Sequence, residues 1–154
     1  MGLDMTLYKQ TKKADKRFKC GYRTINQDLA CWRYANAIHG WFIHHDVIKY
    51  GDNLIPGEVT HEHIGELIDD CNTVINKYNE VKERLGNVPQ ITRENAGDFF
   101  DLAEEILPTE RGFFFGSYDY DEYYISLLKD TVDQLTTVLE TTTDDDTILY
   151  EAWW

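Results

Sequence analysis

One amphipathic segment, residues 60–85, constrains the fold of this chain more than any other feature. Its apolar residues recur at helical spacing along one face, and charged residues occupy most of the other positions. The apolar face comprises Ile64, Leu67, Ile68, Cys71, Val74, Ile75, Tyr78 and Val81. Thr60 is suited to cap the start of this helix and Gly86 to end it. The pattern predicts a long helix that buries one face against a core.

Strand and helix patterns follow one another along the rest of the chain. Residues 3–9 and 147–154 alternate apolar and polar side chains, which is typical of strands with one buried face. A short strand is predicted near residues 18–22. Further helices are predicted at residues 28–50, 92–106 and 119–141. Pro56 and Gly57 mark a turn in the connector before the long helix.

The two terminal strands each need a neighbour, because an unpaired hydrophobic edge invites aggregation. We therefore expect them to pair in a small antiparallel sheet that packs against about four helices, as an α+β fold. The 154 residues fit one domain of ordinary size, and no repeat, low-complexity tract or linker divides them. The sequence predicts a single domain over residues 1–154.

The charge of the chain restricts its partners. The sequence has 15 basic and 28 acidic residues, a net charge of −13, which predicts no direct nucleic-acid partner. Two interpretations of the acidity remain open, namely solubility and an acidic surface that occludes a basic groove on another protein. The bases crowd the start of the chain and the acids dominate its end. The candidate acidic surface comprises Asp130, Asp133 and Glu140.

Cysteine usage and hydropathy bear on the compartment. No apolar run approaches the roughly 18 residues that a membrane helix needs, and no secretory signal is visible. The three cysteines, Cys20, Cys31 and Cys71, form no disulfide or metal-binding pattern, which favours a reducing compartment. These features predict a cytoplasmic protein with no membrane partner. Cys71 is expected in the core, since it lies on the apolar stripe.

The histidines do not form a metal or catalytic signature. The pairs His44–His45 and His61–His63 lack the i,i+3 or i,i+4 spacing that places two ligands on one helix face. The chain also lacks the nucleophilic-serine and phosphate-loop motifs. We therefore expect no metal, no cofactor and no catalytic residue. The enzymatic alternative would use His39 or His45 on a nucleotide-like substrate.

The stretch WRYANAIHGWF, residues 32–42, contains the first half of a candidate ligand site. On a helix, Arg33, Asn36 and His39 form a polar strip bordered by two tryptophans. One interpretation is an ordinary exposed polar face. The other is a strip enclosed by neighbouring elements, which the tryptophans favour because they are costly to leave in water.

The stretch LPTERGFFFGSYDYDEYY, residues 107–124, contains the second half. At least two of its three phenylalanines are expected to be buried as a core plug, and replacing Phe114, if it is buried, is expected to cost roughly 3–5 kcal/mol of stability. Arg111, Tyr118 and Tyr120 flank the plug, and arginine beside aromatic rings suits a planar ligand or a protein partner. We predict that these three residues face the polar strip across one cleft.

At these residues the chain resembles a family of small proteins of tailed phages and prophages. The shared features are the start MGLDMTLYK, the motif W-R-x-A-N-x-I-H-x-W-F, and L-P-T-x-x-G-F-F-F-G-S followed by Y-D-E. Threonine stands at position 6, where the family pattern has tyrosine. The resemblance implies a phage-encoded accessory protein and carries over no catalytic residue.

The leading functional hypothesis is a non-enzymatic counter-defence protein that inhibits a host factor, because small phage proteins without a catalytic signature often act by binding. It would occlude a basic groove on a host protein or sequester a small nucleotide-like signal molecule. The alternatives are the small enzyme named above and a structural or regulatory phage component. A homo-oligomer is compatible with the sequence.

Overall fold

The computed structural model of the protein describes residues 2–154 and has an α+β fold, as predicted. The described part of the chain contains four helices and one four-stranded antiparallel sheet. The elements are β1 (Asp4–Ala14), β2 (Tyr22–Arg33), α1 (Asn36–His44), β3 (Gly57–Val59), α2 (His61–Leu85), α3 (Gly97–Ile106), α4 (Glu122–Thr141) and β4 (Thr147–Trp153). No helix within residues 2–154 is long and apolar enough to cross a membrane.

The sheet has the strand order β2-β1-β4-β3, so the first and last strands pair at its centre. This confirms the predicted pairing, with a register that runs from Asp4 opposite Trp153 to Gln10 opposite Thr147. The expectation that the last strand buries one face is also confirmed, since Ile148, Tyr150 and Ala152 are all buried. Alternation along a strand places these three side chains on the core side of the sheet.

The predicted helix over residues 28–50 is wrong at both ends, because the helix begins only at Asn36 and stops at His44. Residues 28–33 belong to β2, and α1 contains only Asn36–His44. Trp32 lies opposite Met5 on β1, and both are buried, so cross-strand packing fixes this segment as a strand. Tyr34, with a φ of 58°, separates β2 from α1. The predicted strand near residues 18–22 is also wrong, because residues 15–21 form the turn of the β1–β2 hairpin.

The long helix α2 agrees with its prediction at both ends. The Thr60 hydroxyl accepts a hydrogen bond from the backbone N–H of His63, and the His63 ring accepts one from the backbone N–H of Thr60. This reciprocal pair satisfies two N–H groups that a helix start leaves unpaired. Seven members of the predicted stripe are buried, and Ile68 is half-buried. The Cys71 thiol is among the buried groups, and burial raises its pKa.

The other two helices begin later than predicted. In α3 the first helical residue is Gly97, because Thr92 and Asn95 exchange side-chain and backbone hydrogen bonds in a preceding turn. In α4 the side chain of Asp121 accepts from the backbone N–H of Tyr124 and caps the helix. The predicted end of α4 at Thr141 is confirmed.

The sequence did not predict β3, a three-residue strand that pairs with β4 where only a turn was expected. Gly57 begins this strand, and a Cβ atom there would lie 1.8 Å from the backbone oxygen of Val47. Glycine lets the strand pass directly against the segment that follows α1. The helix α1 is buried from Asn36 to Phe42. Phe42 stacks on Tyr150 of β4, and the Trp41 ring donates a hydrogen bond to Asp70 of α2, so α1 is fixed to both elements.

Candidate functional site

The α3–α4 loop, residues 107–121, is held in place by one buried amide at the start of α1. The Asn36 side chain is 3% exposed. Its Nδ2 donates to the backbone oxygens of Phe115 (3.0 Å) and Ser117 (2.8 Å), and its Oδ1 accepts from the backbone N–H of Glu110 (3.1 Å). The structure thus brings Asn36 to the loop, as predicted, but in direct contact with its backbone. The amide fixes the loop and has little capacity left for a ligand.

The phenylalanine plug contains one buried ring. Phe115 is 5% exposed, whereas Phe114 is 41% and Phe113 is 80% exposed. The prediction that at least two rings are buried is therefore wrong. A tight turn from Gly112 O to Phe115 N (3.2 Å), with a φ of 68° at Phe114, points successive side chains in different directions. Only Phe115 then faces the core.

The buried ring occupies a defined position above α1. Phe115 packs edge-on against His39 at 5.3 Å and against Trp154 at 5.4 Å between ring centroids. A Cβ atom at Gly112 would lie 2.6 Å from the Phe115 ring, so glycine is needed for the loop to close over it. Phe113 and Phe114 remain outside as an edge-to-face pair with centroids 4.4 Å apart.

The two predicted arginines lie on the surface and have contacts of their own. Arg33, the last residue of β2, lies 3.5 Å from the Asp4 carboxylate, and its guanidinium stacks over the ring of Tyr34. Arg111 lies in the loop, exposed, with its guanidinium 5.7 Å from the centre of the Tyr118 ring. Each cation therefore rests on a neighbouring aromatic ring, an arrangement worth about 0.5–1 kcal/mol at an exposed site.

The two predicted tyrosines stabilise the loop and line a cleft. The Tyr118 hydroxyl donates to the backbone oxygen of Gly112 (3.1 Å). The Tyr120 hydroxyl accepts from the backbone N–H of Thr109 (3.0 Å). Both rings border an open cleft of about 770 Å³ between the α2–α3 connector and the start of α4.

This cleft contains residues that the sequence did not indicate as a site. Aromatic rings from three helices and the α3–α4 loop line it, together with two bases and three acids. The ring-bearing residues are Tyr78, Phe100, Tyr118, Tyr120 and Tyr123. Lys82 pairs with Glu122, and Arg93 pairs with Glu104 and stacks over Phe100. No local pattern relates these residues, because they come from distant parts of the chain.

The six predicted ligand residues do not surround one cavity. Asn36 borders a separate space of about 20 Å³, which is enough for a water molecule and too small for a ligand. Arg33, His39 and Arg111 line neither this space nor the large cleft. The strip expected on one helix is divided, since Arg33 ends a strand and α1 begins only at Asn36.

His39 and His45 occupy structural positions. His39 is 1% exposed, its Nδ1 lies 2.8 Å from the Tyr150 hydroxyl, and burial lowers its pKa to about 4. A neutral imidazole enclosed in this way does not reach a substrate. His45 stacks on Trp41 at 3.7 Å, with its Nδ1 2.9 Å from the Trp41 backbone oxygen.

The other three histidines each have a different set of partners. His44 lies 3.9 Å from the Glu110 carboxylate, and His61 contacts Thr142 and Asp144. His63 belongs to the capping box of α2. Within residues 2–154, no group of three or more His, Cys, Asp or Glu side chains is arranged to hold a metal ion.

The candidate acidic surface lies on α4. Asp130, Asp133 and Glu140 are exposed. Asp130 also accepts a hydrogen bond from the Gln134 side chain (2.8 Å), which in turn bonds to both backbone groups of Cys31 on β2. Asp130 therefore contributes to the contact between helix and sheet as well as to the surface charge.

The chain matches no family model, no curated protein and no solved structure.

Proposed function

We propose that this chain is a phage-encoded, non-enzymatic counter-defence protein that inhibits a host factor by binding to it. The observation that carries the proposal is the exposed Phe113–Phe114 pair at the tip of the α3–α4 loop. Large aromatic side chains are the residues that most often dominate the energy of protein interfaces. Two adjacent phenylalanines exposed to this extent point to a contact with another protein.

The loop is held rigid, which favours a binding role. Besides the Asn36 amide, the backbone N–H of Leu3 donates to the Phe114 oxygen (3.1 Å), and the Tyr118 hydroxyl closes the loop on Gly112. Phe115 fastens the same loop to the core. A loop that is already ordered loses less conformational entropy when a partner binds, so more of the contact energy becomes affinity.

The charge around the aromatic pair indicates the chemistry of the partner. The α3–α4 loop contains three acids, Glu110, Asp119 and Asp121, against the single base Arg111, and the whole chain carries a net charge of −13. An acidic protein is drawn towards a basic surface and repelled by an acidic one. The partner would then present an apolar pocket within a basic face, which is the occlusion form of the hypothesis.

The proposal is tested with Phe113→Ser combined with Phe114→Asn, since asparagine tolerates the positive φ at position 114. The matched control is Tyr50→Ser, which removes a ring that is 75% exposed on a different segment. We expect the wild type and the control to retain the same host protein from lysate and to protect phage infection of a defended host. Equal retention and protection by the double variant would contradict the proposal. Retention of a phage protein instead would support the structural or regulatory alternative.

The second candidate function is sequestration of a small nucleotide-like signal molecule in the large cleft. Its volume of about 770 Å³ is within the usual range for ligand sites, and aromatic rings line it. It ranks second because its two bases are already paired with carboxylates and two further lining acids, Asp119 and Asp121, repel a polyphosphate. Mass spectrometry of molecules released from the denatured protein tests it, with Arg93→Gln expected to lose any ligand that the wild type retains.

A further inference from the structure

The charge of this protein is separated into two regions of opposite sign. Residues 9–27, which we call the basic arm, contain seven of the 15 bases and only one of the 28 acids, Asp15. The arm therefore carries +6 and the rest of the chain −19. The seven bases are Lys9, Lys12, Lys13, Lys16, Arg17, Lys19 and Arg23. The net charge of −13 averages over two surfaces that would attract different partners.

The basic arm is a two-stranded ribbon that extends beyond the rest of the sheet. β1 pairs with β4 only as far as Gln10, and from Thr11 to Ala14 its sole neighbour is β2. These residues and their partners on β2 are exposed. Four residues of strand extend the ribbon by roughly 13 Å before the turn begins. Because charges are screened over about 8 Å at physiological salt, the tip lies outside most of the negative field of the body.

Cations lie on both faces of the ribbon. Lys13 lies directly opposite Arg23, and strand alternation places Lys9 on the same face. Lys12 lies on the other face, where its ammonium group is 4.7 Å from the centre of the Tyr22 ring. Like charges directly opposite each other destabilise a strand pair, so this register favours an anion bound between them.

The lysines of the arm have no carboxylate partners. Asp15 pairs with Arg17 at 2.7 Å and lies 3.7 Å from Arg23. Within residues 2–154, none of the five lysines of the arm forms an ion pair. In the body, by contrast, ion pairs hold Arg33, Lys77, Lys82, Arg84 and Arg93. The arm thus presents unneutralised charge although the chain contains many acids.

We propose that the basic arm inserts into the major groove of duplex DNA and binds the phosphates on both sides of it. That groove is about 12 Å wide and admits a two-stranded ribbon. Cations on both ribbon faces match two rows of phosphates, whereas an acidic protein surface, including that of a second copy, would contact only one face. Phe18, 50% exposed at the tip between Arg17 and Lys19, would reach the floor of the groove.

This inference is independent of the Phe113–Phe114 contact, and it concerns the arm alone. The lysines contact phosphates, so the binding has little dependence on base sequence. Double-stranded RNA is a poorer fit, because its major groove is deep and narrow. The expectation from net charge, that no nucleic acid binds, then applies to the acidic body.

The test is fluorescence anisotropy of the full chain with a labelled DNA duplex of about 20 base pairs at 50–200 mM salt. If about four lysines engage phosphates, log K should fall against log salt with a slope of roughly −3.6, a loss of about 150-fold over this range. A variant with Lys12, Lys13, Lys16 and Lys19 changed to Gln should bind at least about tenfold more weakly, with a slope near −1. The control Lys49→Gln with Lys129→Gln removes two exposed lysines of the body and should bind as the wild type.

Three results would overturn the proposal. They are no DNA binding at 50 mM salt, unchanged binding by the four-lysine variant, and equal affinity for double-stranded RNA. Sedimentation that shows arm-dependent dimers and no DNA complex would assign the arm to a second copy instead. Circular dichroism checks that each variant is folded. The Phe113→Ser, Phe114→Asn variant should retain DNA binding, so DNA binding by the arm and host-protein binding by the Phe113–Phe114 pair are tested separately.

Discussion

Asn36 shows how one buried side chain determines the shape of the candidate docking surface. It joins the first turn of α1 to three backbone groups of the α3–α4 loop. The sequence indicated Asn36 as a ligand residue because a buried amide needs partners. The expectation that the Asn36 amide needs partners is correct, and the backbone of the α3–α4 loop supplies them. A single sequence cannot show whether a ligand or the protein backbone pairs with this amide, since the backbone partners lie more than 70 residues away.

We expect Asn36→Ala to destabilise the protein by roughly 2–4 kcal/mol, because it leaves the backbone groups of Glu110, Phe115 and Ser117 without partners. Urea denaturation measures the change. Asn26→Ala is the control, since it removes an exposed amide whose hydrogen bond to Gln10 lies on the arm. A loss no greater than that of the control would show that the amide does not fix the loop.

His39 makes the stability of the core dependent on pH. Burial lowers its pKa to about 4 from the ordinary 6.5, so between these values the unfolded chain binds a proton that the folded chain excludes. The stability that the folded chain has with His39 neutral is fully present above pH 6.5. It declines as the pH falls towards 4, by roughly 3 kcal/mol in total. Because Phe115 packs on His39, we expect the α3–α4 loop to lose stability together with the core as the pH falls.

The variant His39→Leu with Tyr150→Phe isolates this effect, since it removes both members of the buried hydrogen bond together. Its free energy of unfolding, followed between pH 7 and 4, should fall by up to about 3 kcal/mol less than that of the wild type. His45→Gln is the matched control and should keep the wild-type dependence. Parallel curves for wild type and double variant would exclude His39 as the cause.

At the scale of elements, the spacing of apolar residues predicts a helix or strand correctly where local preferences and tertiary packing favour the same element. α2 has a full apolar stripe, a capping threonine and a terminal glycine, and the structure shows all three. For residues 28–33 the sequence predicts a helix, whereas the structure has the end of β2. Their pairing with β1 decides the outcome, and that pairing depends on residues 4–8, which no local pattern connects to them.

The loop elements were the least predictable for a related reason. The number of buried phenylalanines depends on a turn with positive φ at Phe114, which phenylalanine rarely adopts. The sequence therefore indicated that the segment is special but gave the wrong ring as its anchor. The expected loss of stability on removing Phe114 now applies to Phe115, at roughly 3–5 kcal/mol for a buried ring.

At the scale of the whole molecule, the arm at +6 and the body at −19 act over distance. Such a separation orients the protein as it approaches a charged partner and changes the rate of association more than the lifetime of the complex. The total of −13 hides this, because composition does not report where charges lie. The arm is visible only after β1 and β2 are known to pair as one long hairpin.

The occlusion hypothesis predicts that the acids of α4 matter by position as well as by charge. The test variant combines Asp133→Lys and Glu140→Lys with Asp130→Asn, which keeps an acceptor for Gln134 and raises the net charge from −13 to −8. We expect it to associate about tenfold more slowly with the captured host protein and to lose part of the salt dependence.

The control places the same five charges elsewhere, as Glu83→Lys, Glu105→Lys and Asp101→Asn, all exposed on α2 and α3. Stopped-flow association at 50 and 500 mM salt compares the two variants. If only the α4 variant is slowed at low salt, the surface formed by Asp130, Asp133 and Glu140 contacts or steers the partner. If both variants associate equally slowly, the net charge of the protein alone determines the association rate. If neither association rate changes, the acidic surface has no part in binding, and the Phe113–Phe114 pair alone contacts the partner.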